Sequence, residues 1–198
     1  MTETQPASPS AESLASAART ATKKGPAPVH LWNPPFCGDL DMRIARDGTW
    51  FYLGTPIGRQ PLVRLFSSIL KREGERYYLV TPVEKVGITV DDAPFVATDF
   101  TAVGEGRDQR LTFVTGVGDE ATAGPDNPIR VARDPADGEP APYVLIRRNL
   151  EALIDRKSFY RLVELGAEHE VDGLRQFGVW SGGAFFPFIP AAELATGE

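Results

Sequence analysis

Cysteine is nearly absent: Cys37 stands alone in 198 residues, beside two histidines and two methionines. A lone thiol closes no internal disulfide, and such usage suits a reducing compartment. His30 and His169 cannot supply a standard zinc spacing with that one thiol, and neither a metal nor a cofactor is expected. Long apolar runs are missing too. The most apolar stretch, 184–190, is short and interrupted by Pro187, far from the roughly 20 residues a spanning helix requires. No basic start followed by an apolar run marks a secretory leader, so the chain reads as cytoplasmic, with no membrane partner. Cations are in deficit: Lys plus Arg number 21 against 27 Asp plus Glu, a net charge of −6. A phosphate polymer is bound by clustered cations that displace its counterions. A nucleic-acid polymer is therefore not an expected partner, although one local basic pocket remains open. The serine nucleophile elbow, the dinucleotide fingerprint and the zinc-protease helix are absent as well.

What is present is a globular composition, 42% apolar and 10% aromatic, with 19 glycines and 17 prolines as punctuation. Residues 1–28 differ from the rest: they are built from Ala, Ser, Thr and Pro around the single large apolar Leu14 and read as a disordered tail. Beyond them, residues 42–45 and 49–53 read as two short strands around the turn Arg46-Asp47-Gly48. A helical stripe starts at Pro61 (Leu62, Val63, Leu65, Phe66, Ile69, Leu70) and is expected to run to Gly74. Strands are expected over 77–80, 83–90, 95–103, 110–117, 129–133 and 143–148, with loops at 118–128 and 134–142. A second helical stripe covers Leu150 to Val163, and residues 174–180 and 184–189 form a hairpin across Ser181-Gly182-Gly183. Arg43-Ile44-Ala45-Arg46-Asp47 matches Arg130-Val131-Ala132-Arg133-Asp134, and both are followed by an aromatic strand, a helix and more strands. The expected fold is α+β: two tandem repeated units, 29–118 and 119–198, each a small antiparallel sheet with one helix.

Several residues suit a small anionic ligand. Gly54-Thr55-Pro56-Ile57-Gly58-Arg59 lies between a strand and a helix start, where backbone N–H groups and the helix dipole attract phosphate or carboxylate and Arg59 adds a cationic fork. The competing reading is a turn whose glycines supply positive φ. Glu84 shares a face with Val86, Ile88 and Val90, where a carboxylate needs a cation; Lys85 points the other way. Arg147 and Arg148 end an apolar strand, and Trp180 sits beside a flexible turn where a ring can stack on a planar ligand, as can Trp50. Asp39, Asp41, Asp91 and Asp92 are carboxylates that could hold magnesium, or are simply turn formers.

Taken together, the string from Cys37-Gly38-Asp39 through Asp47-Gly48-Thr49-Trp50 to Gly58-Arg59 resembles the bacterial domain-of-unknown-function family twelve eighty-five. Leu65 to Leu70, Tyr77 to Lys85, Asp91 to Phe95 and Gly178 to Ser181 carry the same resemblance, with Thr81-Pro82-Val83-Glu84-Lys85 its most distinctive part. It implies a duplicated α+β core whose second half is loosely similar to a pleckstrin-homology fold, a nucleotide-like ligand between the halves and a signalling role. It implies no catalytic residue. The expectation is thus a protein that binds a small anionic ligand through Gly54, Thr55, Gly58, Arg59, Glu84, Lys85, Arg147, Trp50 and Trp180 at the interface of its repeated units. The alternatives are a magnesium-dependent phosphoester hydrolase and a protein-interaction module.

Overall fold

The computed structural model describes residues 9–23, 25–134 and 138–194. The chain divides into two units between Asp92 and Ala93. In the first, β1 (Phe36–Ile44) buries Leu40, Met42 and Ile44 on alternate positions, as a half-buried strand should. The turn at Asp47-Gly48 forms as expected: Gly48 has φ +86° and the Asp47 carboxylate accepts from the Thr49 N–H at 2.9 Å. It delivers β2 (Trp50–Tyr52), and β3 (Thr55–Pro56) pairs with β2 in turn. Next comes α2 (Gln60–Ser68), with proline in its first turn.

The helix stops six residues short of Gly74. Ile69 and Leu70 are both fully buried, and from Leu70 the chain becomes β4 (Leu70–Glu73), hairpinned to β5 (Arg76–Val80). Two adjacent buried residues satisfy a helical stripe and a strand start alike, so periodicity could not separate them. With β6 (Lys85–Val90) the sheet order is β3-β2-β1-β6-β5-β4. The sheet is not wholly antiparallel, because β1 and β6 pair in parallel. That junction needs a long crossover, supplied by α2 and the β4–β5 hairpin.

The amino-terminal segment corrects the sequence reading. It contains α1 (Ala11–Thr22), capped by Ser10 and Ser13 in a reciprocal box, and it packs against α2. Leu14, Ala15 and Ala18 are buried there. Alanine has the best helix propensity and lets two helices approach closely, which makes one leucine a sufficient anchor. Residues 1–8 and 24 of that segment lie outside the described residues.

The second unit opens with β7 (Phe95–Val103), β8 (Arg110–Thr115) and β9 (Glu120–Thr122), the last inside a stretch read as loop. It continues with β10 (Ile129–Arg133), β11 (Pro140–Arg147), β12 (Leu150–Ile154), α3 (Arg156–Glu164), β13 (Ala167–Val171), β14 (Leu174–Ser181), β15 (Ala184–Pro190) and the short α4 (Ala191–Leu194). The second expected loop is shorter than read, since β11 begins at Pro140; its residues 135–137 lie outside the described residues. Its second helical stripe likewise begins as a strand: Leu150, Ala152 and Ile154 alternate inward, and Asp155 then caps α3 by accepting from the Ser158 N–H at 2.7 Å.

Six strands form a sheet in the order β10-β11-β12-β7-β8-β9, and β13-β14-β15 form a second. The parallel pairing of β12 with β7 moves the unit boundary from the expected 118 to 92, because β7 and β8 belong to this sheet. The repeat is visible in topology. The series β1-β2-β3-α2-β4-β5-β6 recurs as β10-β11-β12-α3-β13-β14-β15, with β10 lying against β15 where β1 pairs with β6. The later series is split into two sheets, and Pro187 and Pro190 of β15 have no N–H to give to a ladder.

If α1 is an integral layer of the first unit, Leu14→Ala should lower unfolding stability by about 2–5 kcal/mol. Chemical denaturation of the full chain checks this; a change near zero would mean that the helix does not contribute to the fold.

Candidate functional site

The expected ligand residues fall into different surroundings. Trp50, 2% exposed, is stacked on Phe66 with ring centres 6.3 Å apart, inside the first unit's core and not on an open face. Gly54 turns the chain at φ +73°, Thr55 lies exposed on β3, and Gly58 has open space around it. Arg59 is the exposed N-cap residue of α2, and its side chain makes no capping bond; Pro61 withholds one of the donors an anion would use. Glu84 lies in the turn before β6, off the core face of the strand, its N–H donating to the Thr81 hydroxyl at 3.2 Å. Half-burial pushes its carboxyl above the ordinary carboxylate value. Lys85 donates to Glu73 at 3.0 Å and stands over the Tyr78 ring. Arg147 donates to Asp119 at 2.7 Å and covers the Phe95 ring; burial draws its guanidinium below the ordinary value, against the pull of Asp119. Both cations are thus committed to carboxylates of their own units.

The carboxylates considered for magnesium are mostly committed as well. Asp39 meets Arg76 at 2.7 Å, Asp91 meets Arg43 at 2.8 Å, and Asp92 meets Arg46 at 3.3 Å. Among the described residues no group of three His, Cys, Asp or Glu side chains is placed to hold a metal ion.

Trp180 leads to a different place. Its indole lies beneath the Arg107 guanidinium at 4.8 Å and leans on His169 and Phe185. Arg107 belongs to a 3₁₀ turn, Gly106–Asp108, in the β7–β8 connection. That connection, the 122–127 segment at the end of β9 and the β14–β15 turn border an open cavity of about 520 Å³. Its lining includes Arg107, Arg110, Asp108, Asp126, Gly124 and Gly182. The volume lies within the roughly 300–1,000 Å³ typical of small-molecule pockets.

A buried polar clasp holds the three segments together. Ser181, with no exposed surface, accepts from the Leu111 N–H at 2.9 Å and donates its hydroxyl to the Ala123 carbonyl at 2.7 Å. Gln109, 6% exposed, donates to the Trp180 carbonyl at 2.8 Å, and its own carbonyl accepts from the Gly182 N–H at 2.9 Å. Gly182 is required: its φ is +57° and a Cβ would come within 2.9 Å of the Ala123 carbonyl oxygen. Asn127 ties the far wall to β11, donating to the Leu145 and Ile146 carbonyls at 2.9 and 3.1 Å.

The charges on this frame are uncommitted. Among the described residues neither Arg107 nor Arg110 meets a carboxylate, and neither Asp108 nor Asp126 meets a cation. The Arg107 guanidinium stands over the Trp180 ring and, among the described residues, meets no carboxylate, so its N–H fork is available to an oxyanion. Sequence reading singled out Trp180 and the glycine turn but passed over Arg107, Arg110 and Asp126, which stand in stretches that look like ordinary polar turns.

Comparison with known proteins supports the two-unit division. The family described as "Domain of unknown function (DUF1285), N-terminal domain" matches residues 27–93, and "Protein of unknown function (DUF1285), C-terminal domain" matches 94–188. A crystal structure of a DUF1285 family protein from Silicibacter pomeroyi DSS-3 is 68% identical, with a TM-score of 0.84, covering 92% of this chain and 97% of that one. A DUF1285 family protein from Shewanella baltica OS155 is 28% identical over 62% of this chain and 90% of its own, with a TM-score of 0.49. No curated protein matches the chain.

Losing the Ser181 hydroxyl strands a buried N–H and a buried C=O. Ser181→Ala should therefore cost about 1–3 kcal/mol of stability per stranded group. It should also broaden the amide resonances of Gly124 and Gly182 in NMR spectra; unchanged stability and spectra would show that the clasp is not what fixes the loops.

Proposed function

We propose that this chain, which belongs to the DUF1285 family, is a binding protein for a small oxyanionic ligand, held in the second unit by Arg107 and Arg110. The observation that carries the reading is two guanidinium groups on one cavity that, among the described residues, meet no carboxylate, whereas Lys85 and Arg147 are already paired. A guanidinium fork matches the two oxygens of a phosphate or carboxylate, and a fork already resting on an indole loses less freedom when it binds. Binding needs no catalytic group.

The finer form of this reading is a nucleotide-based ligand in a regulatory, cytoplasmic protein. A planar base could share the Trp180 face with Arg107, and the single thiol Cys37, exposed and unbridged, suits a reducing setting. Occupancy would act by joining the β7–β8 connection to the segment after β9 through the ligand.

Inorganic phosphate and adenosine monophosphate, titrated into the full chain, should shift the Gly124 and Gly182 amides at ligand concentrations near millimolar. Arg110→Ala should weaken both by about tenfold or more, the loss expected of a charge-assisted hydrogen bond. Shifts that persist in Arg110→Ala, or none with either anion, would sink the assignment.

A further inference from the structure

We infer that the ligand of this cavity is dipolar, carrying a cationic amine that Asp126 receives as well as the oxyanion held by the arginines. The inference rests on the oxyanion reading above and goes one step further, to the charge pattern of the ligand. The cavity does not present a basic surface. Its rim carries two guanidinium groups and two carboxylates, so its formal charge balances. Elsewhere in the same unit opposite charges within reach of each other close into pairs: Arg147 with Asp119 at 2.7 Å, and Arg130 with Glu151 at 2.6 Å. Around the cavity no such pair forms among the described residues. Arg107 is held on the Trp180 ring. Asp126 sits in a tight loop closed by reciprocal Gly124 and Asn127 backbone bonds of 3.1 Å, and Asn127 is tethered to β11. Both signs of charge stand exposed on the rim.

Such an arrangement discriminates. A simple anion approaching Arg107 and Arg110 also meets the repulsion of Asp126, and a simple cation approaching Asp126 meets the arginines. A molecule with an anionic group at one end and an ammonium at the other satisfies both walls at once. Asp126 is the receiving group because it stands on a separate segment of the rim, the Gly124–Asn127 loop, whereas Asp108 shares its short turn with Arg107. The chemical class is a small phosphorylated or carboxylated amine.

A matched pair of probes tests this on the full chain: 2-aminoethyl phosphate and ethyl phosphate, which differ by the amine. Wild type should bind the amine-bearing ester about fivefold more tightly, the advantage of one exposed ion pair. Asp126→Asn, isosteric and exposed, should bring the two affinities together without changing the melting temperature. Equal affinities in wild type, or a preference that survives in Asp126→Asn, would overturn the dipolar ligand while leaving the oxyanion reading intact. Failure of both esters to bind would overturn the two together.

Discussion

Everything proposed about the second unit depends on one buried hydroxyl. Ser181 joins the β14–β15 turn to the β8 backbone at Leu111 and to the segment after β9 at Ala123. The Ala123 N–H already donates to the Leu111 carbonyl at 2.8 Å, and a side-chain oxygen that both accepts and donates supplies the return connection between the same two residues. In a water-excluded position that exchange is worth more than at the surface. Gln109 repeats the principle one step away, and Gly182 permits the close approach that both bonds need. The outcome is a concave rim made of three irregular connections tied to one another by hydrogen bonds.

Charge distribution gives that rim its meaning. A net acidic protein with many arginines must neutralise most of them internally, and here it does. Arg43, Arg76, Arg130, Arg147 and Arg161 all meet carboxylates, and several also lie on aromatic rings. Arginine suits this double role because its flat cation is only weakly hydrated and keeps its fork available when its face is covered. Against that background Arg107 differs in one respect: among the described residues it has the ring but not the carboxylate, and Arg110 has neither. A guanidinium left without a partner beside a cavity is a better pointer to a ligand than any cation chosen for its neighbours in sequence.

Local features were legible in the sequence, and distant pairings were not. The Asp47-Gly48 hairpin and the β14–β15 hairpin follow from residues that demand particular dihedral angles within a few positions, and both formed where expected. The α+β class, the two tandem units and the family resemblance were legible for the same reason: they rest on order and composition along the chain. The end of α2 was misread because Ile69 and Leu70 fit two periodicities. Glu84 was misplaced because a turn bonded to Thr81 precedes the strand. The burial of α1 escaped notice because alanine carries no signal of its own until a second helix lies against it. Lys85 and Arg147 looked like free cations only because Glu73 and Asp119 are remote in sequence and adjacent in space.

The sequence by itself determined what depends on neighbours along the chain: class, repeat and turns. Tertiary structure alone decided the unit boundary, through the parallel pairing of β12 with β7, and the location of the cavity, whose walls come from residues up to 76 positions apart, Arg107 to Gly183. The physical reason is the range of the forces involved. Backbone dihedral preference acts over a few residues, whereas the partner that neutralises or frees a charge is chosen by packing.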